Sequence, residues 1–264
     1  MSAPASSGLP GIEGGHGRPV VFLHGYPLDH EIWEPQLALL SAGHRLVMLD
    51  LPGYGLAQEV AVPDSIAGFA ESVRAAIAVR FSVPVVLVGH SFGGYIALDL
   101  VHRHPELFDA LVLTNTRAGS DSAEVRAKRL ATASRLEDPT QGLDVDETVR
   151  NLVAPETWEA QGPVIGKLRR IVLSVPPATL ISSLRAIAGR PDMTGELGSF
   201  HLPTLVVWGE DDQLIPPEQT QSMVAKIPGA SGIEVPQAGH LPFLETPQSF
   251  ARPVGEFLAR LAPT

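Results

Sequence analysis

No cysteine occurs among the 264 residues of this chain. That excludes a disulfide framework, a cysteine-ligated metal site and a cysteine nucleophile. Basic residues are scarce: 19 Lys and Arg stand against 29 Asp and Glu, a formal net charge of −10. Such a balance repels polyanions, which argues against a nucleic-acid partner and against binding to an anionic membrane surface. Long apolar runs are missing too, since the longest are strand length and a membrane helix needs roughly 20 residues. The opening stretch, MSAPASSGLPGIEGGHG, has neither a basic start nor an apolar centre, so it does not read as a secretory signal. A cytoplasmic location is therefore the expectation, with residues 1–18 as a flexible lead-in.

What is present suits one α/β domain with an insertion. The hydrophobic share of 44% supports a full core. Short, nearly continuous apolar runs bounded by Gly, Pro or charged turns recur at residues 20–24, 45–51, 83–88, 110–115, 203–208 and 232–236. Strands of that kind belong in a largely parallel sheet covered on both faces. Helical patterns lie between them: Asp64-Ser65 caps one that runs to Arg80, Ser91 opens another that ends before Pro105, residues 216–226 form a third, and Thr246-Pro247 starts the last. The alternation predicts a doubly wound sheet. It stops between residues 117 and 201, where four helical patches (122–136, 145–152, 163–173 and 178–187) replace strands. The division expected is a core of residues 19–116 and 202–264 with a helical cap at 117–201.

Three features carry chemistry. First, Val88-Gly89-His90-Ser91-Phe92-Gly93-Gly94-Tyr95 places a serine between glycines at −2 and +2, after a strand and before a helix. A strand-to-helix turn that tight brings neighbouring backbone against both flanking positions and exposes the serine hydroxyl. An ordinary helix-capping serine is the alternative, but the strand–turn–helix context favours a nucleophile. Second, of nine histidines only His240, in QAGHLPFLETP, falls in a loop after a strand and before the last helix, at the sheet edge where Ser91 sits. His24 and His90 flank strand ends and read as loop braces. Third, VVWGEDDQLIPP ends a strand with Glu210, Asp211 and Asp212, any one of which is able to orient an imidazole and stabilise its protonated form.

The chain resembles the α/β-hydrolase fold superfamily, in its branch of capped serine esterases and lactone hydrolases, over residues 18–261. The likeness rests on FLHGYP (22–27), DLPGYG (50–55), VGHSFGGYIAL (88–98), WGEDDQLIP (208–216) and AGHLPFLETP (238–247), in that order. It implies Ser91 as nucleophile, His240 as general base and Asp212 as orienting acid, with Asp211 facing solvent or capping the next helix. Some relatives take the acid from the end of the strand before the cap, but Asn115 stands there and is neutral. The resemblance also implies an oxyanion hole formed by the backbone N–H groups of Tyr26 and Phe92, and a cis peptide between Tyr26 and Pro27. Two departures stand out: the N-terminal segment is short for the family's leading strands, so that sheet edge is expected to be shortened, and Ala57 stands where the family usually has serine.

The implied activity is hydrolysis of carboxylic esters or lactones through an acyl-enzyme. The same triad also serves perhydrolysis of the cofactor-free haloperoxidase type, amide or lactam opening and C–C cleavage, and some proteins of this fold are small-ligand receptors. A substrate pocket is expected at Tyr26, Trp158 and Leu241, under a cap whose Trp158, Ile165, Leu168, Ile171, Val172, Leu180 and Ile181 form an apolar roof. That favours a small uncharged substrate, although packing of the cap onto the body explains the same residues. No cofactor or metal is expected, because the acids do not cluster with histidines at ligand spacing. The chain is expected to be a monomer or homodimer.

Overall fold

A computed structural model describes residues 8–262. Seven strands, β1 (Gly11–Gly15), β2 (Arg18–Leu23), β3 (His44–Leu49), β4 (Val85–His90), β5 (Phe108–Thr114), β6 (Thr204–Gly209) and β7 (Ser231–Val235), form one sheet in the order 1-3-2-4-5-6-7. Every neighbouring pair is parallel except β1 and β3. The first seven residues of the expected lead-in lie outside the described residues, but the rest is not a free segment. Residues 11–15 pair antiparallel with β3, Ile12 opposite Met48, and Glu13 reaches Arg45 at 2.8 Å and Arg80 at 3.3 Å. A glycine-rich strand with a single large apolar side chain gives no alternating pattern to read, which is why this edge escaped the sequence.

The inner strands alternate between two cores, as a sheet buried on both faces requires. Along β2, Val21 and Leu23 join one apolar cluster while Val20 and Phe22 join the other. Helices α1 (Glu34–Leu40), α2 (Ile66–Arg80) and α3 (Phe92–Arg103) occupy the first half of the chain. Helix α2 starts where the sequence places it, with the Ser65 hydroxyl accepting the Gly68 N–H. Its Phe69, Ala70 and Val73 cover the first cluster, together with α3.

Between β5 and β6 the chain leaves the sheet and forms α4 (Ala123–Arg135), α5 (Val145–Leu152), α6 (Pro155–Ala160), α7 (Pro163–Ser174) and α8 (Pro177–Ala188). This is the helical insertion. It packs onto both cores: Ile165, Leu168, Ile171 and Val172 of α7 belong to the second cluster, whereas Leu180, Leu184 and Ile187 of α8 belong to the first. Helices α9 (Pro217–Lys226), α10 (Pro242–Glu245) and α11 (Pro247–Arg260) complete the fold. Among the described residues no single helix is long and apolar enough to cross a membrane.

The strand order reverses beside β2, with β3 on one side and β4 on the other. In open α/β sheets a crevice forms at the carboxyl ends of the strands at such a switch point. The loop after β2 carries Tyr26, and Ser91 immediately follows β4.

Candidate active site

Ser91 links β4 to α3 with φ 50° and ψ −112°, in a region that side-chain-bearing residues rarely adopt. The flanking glycines explain how the chain reaches it. A Cβ on Gly89 would lie 2.7 Å from the Gly93 carbonyl oxygen, and one on Gly93 would lie 2.5 Å from that of Leu23. Only hydrogen fits at either place. The Ser91 N–H donates to the Thr114 carbonyl at 3.1 Å and the Thr116 hydroxyl to the Ser91 carbonyl at 2.9 Å, which fixes the turn against the end of β5.

His240 and Asp212 meet across the neighbouring loops. The His240 Nδ1 lies 2.9 Å from Asp212 Oδ2, and both side chains are about 1% exposed. A carboxylate only accepts, so in the neutral ring Nδ1 carries the proton and Nε2 is free to accept one. Burial would raise the Asp212 carboxyl, but the His240 charge and hydrogen bond, the Asn115 amide and the Leu214 N–H outweigh it and hold the value at about 2. The neighbouring acids do otherwise. Glu210 is exposed and accepts the Gln237 N–H at 3.3 Å. Asp211 stays near the surface and caps no helix: α9 begins after Pro216, and it is Asp212 that accepts the Leu214 and Ile215 N–H groups.

Ser91, His240, Tyr26 and Phe92 line one cavity of about 110 Å³. Tyr95 adds to its α3 side and Leu214 and Ile215 to the side after β6. The Phe92 N–H opens α3, where helix geometry offers it no intrahelical partner. The Tyr26 amide makes no backbone hydrogen bond among the described residues, and the Tyr26–Pro27 peptide is cis as expected. A larger, more open cleft of about 250 Å³ runs past Arg117, Glu218 and Gln219, but neither Ser91 nor His240 reaches it.

Two of the expected pocket residues sit elsewhere. Leu241 is fully buried in the second core cluster. Trp158 packs at that cluster's margin, with the Arg150 guanidinium 4.9 Å and that of Arg169 5.4 Å from its ring centroid. None of the other six roof candidates lines the cavity either. The insertion contributes Ile187 and, unforeseen, Arg129. The apolar residues chosen as a roof serve instead to pack the insertion onto the body.

Bracing residues surround the site, among them His24 and His90, which the sequence already reads as loop braces, and Asn115 and Glu245, which it does not. Asn115, set aside as an acid, donates through Nδ2 to Asp212 Oδ2 at 2.8 Å and to the Gly239 carbonyl at 3.2 Å. Glu245 Oε1 accepts the N–H groups of Gly239 at 2.9 Å and Leu241 at 3.3 Å, the two residues flanking His240, while its Oε2 accepts the Ala154 N–H of the insertion at 2.7 Å. His90 Nε2 lies 3.0 Å from the His240 carbonyl oxygen, to which it donates. Burial and the His240 charge push His90 well below its ordinary value, so it stays neutral. His24 braces the loop after β2, accepting the Leu51 N–H on Nε2 at 3.0 Å, and burial brings its value down to about 4. His30, which offered no signal in the sequence, is buried against Asp50 at 2.7 Å.

Comparison with known proteins identifies the family. Residues 20–252 match the profile described as the alpha/beta hydrolase family. The chain is 29% identical over 248 residues to a pimeloyl-[acyl-carrier protein] methyl ester esterase of Nitrosomonas europaea, covering 89% of this chain and 94% of that one. Among solved structures it is similar to a thermophilic esterase from Thermogutta terrifontis with malate bound, at 31% identity, TM-score 0.91 and coverage of 96% of this chain and 93% of that one. An enol-lactonase from Burkholderia xenovorans superposes with TM-score 0.87, covering 96% of each chain, and at 23% identity that likeness speaks to the fold alone.

Proposed function

The chain belongs to the alpha/beta hydrolase family, and we propose that it is a serine hydrolase of small carboxylic esters or lactones working through an acyl-enzyme. The observation that carries the reading is the shared cavity: Ser91, on its strained turn, and His240, held on Nδ1 by the Asp212 carboxylate, both open into it. The esterases among the relatives support ester cleavage.

In this reading Ser91 Oγ attacks the carbonyl carbon as its proton passes to His240 Nε2. The carbonyl oxygen takes up the negative charge and lies against the Tyr26 and Phe92 N–H groups. Each such donor is typically worth about 10²–10³ in rate. Asp212 stabilises the imidazolium, which returns the proton to the departing alkoxide. For an ester the alcohol leaves, and for a lactone it stays tethered as a hydroxyl. Water then attacks the acyl carbon, His240 takes its proton, and the tetrahedral species collapses to the acid and free Ser91.

A fluorophosphonate probe tests the reading. The intact protein should be labelled on Ser91 and should hydrolyse a 4-nitrophenyl ester. Ser91→Ala should lose both. Label on another residue, or ester turnover surviving in Ser91→Ala, would overturn it.

A further inference from the structure

The cavity holds one full charge that hydrolysis of a simple ester does not need. Arg129, from α4, reaches it from the insertion side. Its Nε donates to Asp121 Oδ2 at 2.8 Å, and among the described residues its two Nη groups make no hydrogen bond. Asp121 cannot neutralise it. Its fully buried carboxylate also takes Arg117 and Arg190, the latter at 2.9 Å, so three guanidinium groups share one acid. Asp99 borders the same small void as Arg117 and Arg190, but its Oδ2 is held by Arg103. Three arginines thus meet one shared carboxylate, in a chain whose net charge is −10.

A second group points the same way. Tyr26 lines the cavity, and its phenol oxygen is buried with no hydrogen-bond partner among the described residues. Buried hydroxyls ordinarily have a partner. Burial drives the Tyr26 hydroxyl far above its ordinary value, while the Arg129 charge works against that rise, so it remains a neutral donor. A guanidinium fork with free Nη groups and a nearby hydroxyl donor suit a planar anion with two oxygens.

We infer that the ester or lactone this site cleaves carries a carboxylate, bound by Arg129 with the Tyr26 hydroxyl as second donor. The inference rests on the hydrolase reading for its chemistry, but not for the anion site itself. It replaces the uncharged substrate expected from the sequence. Asp121 acts as the anchor that holds Arg129 in place through Nε and leaves the outer edge of the guanidinium to the ligand.

The test has a kinetic and a binding arm. In the first, kcat/KM is measured for the mono-4-nitrophenyl ester of glutaric acid and for 4-nitrophenyl pentanoate, which differ chiefly in the terminal carboxylate. The intact protein should favour the charged ester. Arg129→Gln should lower the ratio of the two values at least tenfold, Arg129→Lys should restore part of it, and Tyr26→Phe should lower it several-fold. A ratio that Arg129→Gln leaves unchanged overturns the inference, as does an intact protein that prefers the neutral ester. In the second arm, monomethyl glutarate is titrated calorimetrically into Ser91→Ala. Saturable binding, weakened at least tenfold by adding Arg129→Gln, supports the anion site whether or not turnover is seen. No binding, or binding indifferent to Arg129, overturns it. Binding without hydrolysis of either ester by the intact protein would sink the hydrolase reading and leave the anion site standing.

Discussion

Asn115 Nδ2 lies 2.8 Å from the same Asp212 oxygen that receives the His240 Nδ1 proton. The amide is itself held, because the Thr114 hydroxyl donates to Asn115 Oδ1 at 2.8 Å. Its backbone has φ 47°, a left-handed conformation that Asn tolerates better than most residues. Asn115→Asp keeps the shape and that tolerance but sets a second carboxylate against Asp212. Two facing carboxylates cannot both ionise freely, so the pair takes up a proton that Asp212 alone would not hold. Turnover at pH 7 should fall by about tenfold or more, the equivalent of one charge-assisted hydrogen bond, and the acid limb of the pH–rate profile should move upward. A variant with the intact protein's profile would show that Asn115 does not support the acid.

The adjacent acids offer a sharper separation. Asp212→Asn removes the group that fixes the His240 tautomer. In a serine protease with an Asp-His-Ser triad, the equivalent change costs about 10⁴ in turnover. A loss of similar order is expected here, with the melting temperature showing that the fold survives. Among the described residues Asp211 makes no side-chain hydrogen bond, and it lies near the surface, so Asp211→Asn should stay within a few-fold of the intact protein. If the two variants exchange these behaviours, the acid has been misassigned.

The fold was legible where the chemistry is periodic. Inner strands rich in Val and Leu, with glycine or proline at their ends, give their positions away, and so does Ser65 capping α2. The candidate site was legible because Gly89 and Gly93 mark a turn that only hydrogen can fill, and because Ser91, Asp212 and His240 come in the family's order. β1 was hidden because glycine carries no pattern. Arg129 was hidden because an arginine on an amphipathic helix looks like any solvated one until the fold places it over a cavity. Trp158 misled for the opposite reason: a large apolar residue suggests a pocket wall, but two guanidinium groups already cover it. Asn115 was judged on its own charge when its role is to hold a partner's.

Glu245 ties the His240 loop to the insertion through three backbone N–H groups. Burial raises its carboxyl, against the pull of those donors. Glu245→Gln keeps one acceptor oxygen where there were two, so either the His240 loop or the Ala154 amide loses its partner. A buried donor left unpaired costs about 1–3 kcal/mol. Denaturant unfolding should register a loss of that order, and kcat should fall because Gly239 and Leu241 flank His240. Glu245→Asp, which keeps the charge on a shorter arm, should recover stability only in part. Unchanged stability and turnover in Glu245→Gln would mean that the loop is held without it.

A pH-sensitive pair lies in the loops that follow β2 and β3. His30 Nδ1 sits 2.7 Å from Asp50 Oδ2, and the Asp50 carboxylate also accepts the N–H groups of His30 and Leu56, each at 2.8 Å. The hydrogen bond to Asp50 raises His30 above its ordinary value despite partial burial. Burial works to raise Asp50, but His30, the His24 charge and the backbone donors bring it below its ordinary value. With its folded value above the unfolded one of about 6.5, His30 contributes stability that is complete below that pH and is lost as pH rises through the folded value. Asp50 has the opposite sign: its contribution is present above about 3.9 and is lost as pH falls through its lowered folded value. The pair is therefore strongest between those limits. His30→Gln should cost about 1.5–3 kcal/mol at pH 5.5, the range for a hydrogen bond to a charged group. The deficit should shrink by pH 9, where the intact protein's histidine is neutral as well. Urea unfolding of both proteins at the two pH values measures the difference. A deficit equal at both, or larger at pH 9, would show that His30 acts through packing and not through its charge.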